Sequence, residues 1–98
     1  MANWTDEMIQ DVWEKGKIVS GYDKDKYRKD QCDAWIQRDK YGDRTSNFGW
    51  EIDHISSGGE DILSNLGPLQ WENNVDKSEG RLKGNITSDG KKNVKNKE

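Results

Sequence analysis

The chain holds one histidine, and an aspartate precedes it: residues 49–77 read "GWEIDHISSGGEDILSNLGPLQWENNVDK". An imidazole exchanges protons near neutral pH, and a carboxylate is a hard ligand for a divalent cation. Adjacent strand residues point to opposite faces. At a strand end, where the backbone bends into the loop "SSGGED", Asp53 and His54 can nevertheless reach one site. Downstream come Asn65, the pair Asn73 and Asn74, and then Lys77. The amide oxygen of Asn74 is a neutral, hard ligand. Asn65 has a plainer use, because an asparagine side chain bonds loop backbone groups and holds a turn. Asn73 reads as a helix cap or part of a solvated face. A lone histidine is most often a surface or hydrogen-bonded core residue, and each signal is weak singly. Their order is what points to a site joining a cation to a proton acceptor.

These residues need elements to place them. "NFGWEIDHI" reads as a strand with Trp50, Ile52 and His54 on one face and Glu51, Asp53 and Ile55 on the other. "NLGPLQ" is short and apolar, and its proline suits an edge or irregular strand. "WENNVDKSEG" predicts a helix of two or three turns with Gly80 as its stop. Proline and glycine between residues 55 and 71 return the chain, so that this helix packs against the strand bearing Asp53. Upstream, Thr5 followed by Asp6 and Glu7 predicts a helix start, and Met8, Ile9, Val12 and Trp13 fall on one stripe ahead of Gly16. "AWIQRDKYG" predicts a further short strand ending at Gly42. A calcium loop starting at Asp23 and Asp25 is excluded, because its sixth position is Arg28 and its twelfth Ala34.

The whole chain bounds these readings. Its 98 residues make a single domain, 1–98, and with 30% hydrophobic and 36% charged residues its core is small. Five Trp and three Tyr compensate, since each ring buries a large apolar area. Cys32 is the only cysteine, which excludes an intrachain disulfide and a four-cysteine zinc site. No apolar run has membrane-spanning length and no secretory pattern opens the chain, so the expectation is a cytoplasmic protein without membrane contact. The N-x-T sequons at Asn3 and Asn85 are then chance. The net charge of −3 hides an asymmetry. From Lys77 onward seven basic residues face three acidic ones, whereas residues 1–76 carry nine basic against sixteen acidic. A basic end on an acidic body can mark a nucleic-acid contact. Residues 84–98 are expected to form a basic, flexible, solvated tail, and Lys77, Arg81 and Lys83 are the candidates for phosphate contacts.

Asp53-His54, Asn65-Leu66 and Asn74-Val75-Asp76-Lys77 together form a pattern of D-H, a central N-L and N-x-x-K. That pattern resembles the HNH nucleases, the ββα-metal or His-Me finger family. "GWEIDHI…GGED…SNLGPLQWENNVDKS", together with "WEKGKIVSGYDKDKYRKD" and "QRDKYG", is similar to a subgroup of small bacterial and phage members. The resemblance covers roughly residues 10–80. It implies an α+β fold with a small ββα-metal core at about residues 49–80, an N-terminal helix and an extra short strand. It further implies a metal-dependent endonuclease hydrolysing DNA to leave a 5′ phosphate. His54 is then the general base, Asp53 and Asn74 hold one divalent cation, Mg²⁺ or Mn²⁺, and Asn65 fixes the loop and through it the His54 ring. Gln70 and Asn73 stand where many relatives carry cysteines or a histidine, so no structural zinc is expected. Gly67 and Gln70 also replace an expected Gln and His, and Ser57 a frequent Pro. The alternative expectation is a nucleic-acid-binding or assembly module that no longer cleaves. For either, a homodimer or a partner protein would supply positive surface that the acidic body lacks.

Overall fold

A computed structural model describes residues 4–77 and 81–96. The first helix, α1 (Asp6–Trp13), starts where its sequence dictates: Thr5 Oγ1 accepts the Met8 amide at 3.1 Å, and Asp6 and Glu7 occupy the first turn. Its apolar stripe buries Val12 and Trp13 completely. They join Ile36, Trp50, Ile52 and Leu66 in the central cluster, against which Trp4, Met8, Ile9 and Tyr41 pack. The Trp50 ring lies 5.3 Å from Trp13 and 5.0 Å from Tyr41, between centroids, so aromatic contacts fill a core poor in aliphatic residues. Burying each such side chain contributes about 1.5–3 kcal/mol.

Among the described residues the strands form three antiparallel pairs. The first joins β1 (Tyr27–Lys29) to β2 (Trp35–Gln37), the second β3 (Trp50–His54) to β4 (Leu66–Gln70), and the third β5 (Ile86–Asp89) to β6 (Lys92–Lys95). The domain is thus α+β. In the second pair His54 lies opposite Leu66 and Ile52 opposite Pro68. Each strand of a two-stranded sheet is an edge, so Pro68 removes no bond to a further strand. β4 runs directly into α2 (Trp71–Asp76), whose first turn is capped by Gln70: its side chain accepts the amides of Glu72 and Asn73. Asp30 is buried against this junction. One of its oxygens accepts the Cys32 and Ala34 amides, and the other accepts the Gln70 amide and Asn73 Nδ2.

Several expectations change here. "AWIQRDKYG" is extended only over Trp35–Gln37 and then turns through a single 3-10 turn at Arg38–Lys40. α2 has six residues rather than two or three turns, and its expected stop, Gly80, lies outside the described residues. Residues 84–98 are not a flexible solvated tail where described, because Ile86–Lys95 folds as a hairpin turning at Gly90 (φ 64°). Its anchor is Asn73, which is fully buried rather than capping or solvated. Asn73 Oδ1 accepts the Ile86 amide at 2.8 Å while Nδ2 donates to the Ile86 carbonyl at 3.0 Å, imitating a strand partner. Asn93 adds a second tie, accepting the Trp35 amide and donating to the Trp35 carbonyl. Among the described residues no helix is long and apolar enough to cross a membrane.

Candidate active site

Strand alternation separates β3 into two faces. Trp50 and Ile52 enter the core, while Glu51 and Asp53 meet α2 and the chain leaving it. Asn74 Nδ2 donates to Glu51 Oε1 at 2.9 Å. Lys77 follows α2 with extended backbone (φ −64°, ψ 128°), and its ammonium turns back onto Asp53, reaching Oδ1 at 2.8 Å and Oδ2 at 3.0 Å. Its third donor goes to the His54 carbonyl at 2.6 Å. Two residues two apart on a strand are thus matched by two residues three apart at the helix end.

The loop after β3 is built around Asn65. Its Oδ1 accepts the Ser56 amide at 2.9 Å, its Nδ2 donates to the Glu60 carbonyl at 3.0 Å, and its own carbonyl accepts the Ile55 amide at 2.8 Å. The paired glycines serve that arrangement in different ways. Gly58 has φ 77°, a left-handed conformation that favours glycine. A Cβ on Gly59 would lie 2.5 Å from Asn65 Nδ2, so only glycine admits the asparagine there. The expected loop-holding role of Asn65 therefore has a direct geometric basis. His54, at the end of β3, directs Nε2 to Asp61 Oδ1 at 2.5 Å, and the Trp4 ring lies 6.0 Å from the imidazole. Asp53, His54, Ser57, Gly58, Asn74 and Lys77 line one open cavity of about 300 Å³.

The donor set suits a hard divalent cation in kind. Asp53 offers a carboxylate, and Asn74 Oδ1 accepts no hydrogen bond among the described residues. Among those residues no three His, Cys, Asp or Glu side chains gather as a ligand set, so water would complete the coordination. A positive charge already sits at Asp53, where the Lys77 ammonium neutralises a carboxylate only 6% exposed. This corrects the expectation for Lys77. With all three N–H donors engaged inside the domain, it has none left for a phosphate. Arg81 and Lys83 are exposed, as phosphate contacts require.

Two acidic residues of this region were not singled out from the sequence. Glu51 receives Arg44 in a two-pronged pair, Nε to Oε2 at 2.7 Å and Nη2 to Oε1 at 3.0 Å, in addition to Asn74. Burial works to raise its carboxyl, but the Arg44 and Asn74 bonds and the Arg44 charge outweigh it and hold Glu51 below its ordinary value. Its signal was the strand period, which places it on the face of Asp53. Asp61 had no such signal, because loop conformation is not periodic. Gln70 and Asn73, the amides at the positions of ligands in the zinc-bearing pattern, are fully buried and bonded to backbone and to Asp30. No family model, curated protein or solved structure matches the chain.

Proposed function

We propose that this protein is a metal-dependent endonuclease of the HNH type that hydrolyses DNA, with β3, β4 and α2 as a ββα-metal core. The observation that carries the reading is the shared cavity: the neighbours Asp53 and His54 at the end of β3 and Asn74 on α2 line the same opening. Binding alone requires no such set. Asp53 and Asn74 would hold the cation, which supplies charge stabilisation to the scissile phosphate and the departing 3′ oxygen. His54 takes a proton from water as the water oxygen bonds to phosphorus and the bond to O3′ breaks. Asn65 keeps the loop in place beside that base. Arg81 and Lys83 contact the phosphate backbone, joined by the exposed Lys91, Lys92 and Lys95 of the hairpin. A second copy or a partner protein extends this positive surface.

One observation favours the second reading, a nucleic-acid-binding or assembly module that does not cleave: the Lys77 ammonium bonds both oxygens of Asp53 and the His54 carbonyl. Nicking of supercoiled plasmid distinguishes the two. The nuclease reading expects nicked circles in magnesium or manganese and none with excess chelator. Intact plasmid in both metals, with retained DNA binding, establishes the module instead.

A further inference from the structure

The sole imidazole of the chain makes one short contact, and that contact is with a carboxylate the proposed chemistry does not otherwise use. His54 Nε2 and Asp61 Oδ1 are 2.5 Å apart, while Nδ1 has no hydrogen-bond partner among the described residues. We infer that Asp61 is the positioning residue for His54: it accepts a hydrogen bond from Nε2–H and thereby leaves Nδ1 as the nitrogen that receives the proton. An ionised carboxylate only accepts hydrogen bonds, so this contact selects the tautomer with hydrogen on Nε2. The catalytic meaning of the inference rests on the proposed nuclease function; the contact itself does not.

The loop is built to deliver this carboxylate. Asn65 Nδ2 holds the carbonyl of Glu60, the residue before Asp61, and Asn65 Oδ1 holds the Ser56 amide at the other end of the turn. Behind the ring, Lys77 fixes the His54 carbonyl, and the Trp4 ring stands 6.0 Å away, tilted by 49°. Backbone and one ring face are thus constrained, and rotation of the imidazole about its own bond is the freedom left. Asp61 removes it. Asn65 consequently acts on His54 at one remove, through the placement of Asp61. During hydrolysis one O–H bond of water breaks and an Nδ1–H bond forms as the water oxygen joins phosphorus. The O3′ leaves with the electron pair of its bond to phosphorus, and the resulting imidazolium is balanced by the Asp61 carboxylate.

A single histidine makes the test direct, because the ¹⁵N spectrum of the full chain contains one imidazole. With the ring neutral, the wild type should show hydrogen on Nε2, and Asp61→Ala should show a mixture of tautomers. Asp61→Glu, which keeps an acceptor-only carboxylate, should restore more of the wild-type pattern, whereas Asp61→Asn, whose amide can also donate to the ring, should not. In plasmid nicking, Asp61→Ala should lower kcat by about tenfold or more at unchanged KM, and Asp61→Asn, which neither balances the imidazolium nor selects one tautomer, should lower it as well. Hydrogen on Nδ1 in the wild type, or an Asp61→Ala spectrum like that of the wild type, overturns the inference even if the protein cuts DNA. The expected spectra in a protein that cuts no DNA establish the contact and remove the nuclease reading instead.

Discussion

Two clusters of the same chemical composition lie on neighbouring residues of α2, and they behave as opposites. On one side Asn73 meets Asp30; on the other Asn74 meets the strand that carries Glu51 and Asp53. Asp30 is 1% exposed and accepts four hydrogen bonds, three from backbone amides and one from an amide side chain. All its donors are neutral and fixed by the fold. Asp53 is nearly as buried, yet its partner is a single ammonium on a flexible stem. The first arrangement is closed and holds α2, β4 and the hairpin strand β5 together. The second opens on a cavity, and its positive charge is carried by the Lys77 side chain. Carboxylate and amide composition is common to the two clusters; the charge of the donors and the opening on a cavity are not.

Substitutions should expose that difference, and the largest effect belongs to the closed cluster. Asp30→Ala leaves four donors without their acceptor, and equilibrium denaturation should show a loss of about 3–5 kcal/mol that manganese does not restore. Lys77→Met should cost somewhat less, about 3 kcal/mol, by leaving the Asp53 carboxylate buried without its counter-charge. That deficit should shrink on adding magnesium or manganese, through binding to the folded form alone. Thermal unfolding with and without metal checks it, and an Lys77→Met protein indifferent to both metals would mean that Asp53 holds no cation.

The two clusters should also differ in the sign of their pH dependence. Burial, the largest influence on Asp30, raises its carboxyl despite the four hydrogen bonds. The folded chain then binds this proton more tightly than the unfolded chain, so its contribution to stability falls as pH rises from the ordinary aspartate value through the raised one. Glu51 is lowered, so its contribution is present above the ordinary glutamate value and lost as pH falls through the lowered one. Comparing metal-free wild type with Glu51→Gln from neutral to acid pH should show a small wild-type advantage that vanishes on acidification. An advantage that grows on acidification would reverse the assignment.

The sequence carried the site further than it carried the frame around it. Asp53, His54, Asn65 and Asn74 were singled out by their order along the chain and by the resemblance of that order to the D-H, N-L, N-x-x-K pattern, and strand alternation placed Glu51 beside Asp53. The cap at Thr5 and the stripe ending in Trp13 were readable because each leaves a local pattern. Asn73 was misread because its partner, Ile86, is thirteen residues on and is bound through backbone atoms, which no side-chain pattern records. The C-terminal hairpin was missed with it. Its charged residues suggested solvent, although β-branched Thr87 and Val94 flank a glycine turn. Lys77 looked like a free cation because nothing local shows that the chain leaves the helix there and turns its ammonium inward.

The division of labour between Asp53 and His54 is the centre of this account, and the nicking rate of His54→Ala tests it most directly. Measured on supercoiled plasmid in saturating manganese, with metal and DNA binding verified as retained, that rate should fall about 10²–10⁴-fold below wild type. A His54→Ala protein that nicks at close to the wild-type rate would contradict the account, leaving His54 as a structural residue beside a site that activates water without it.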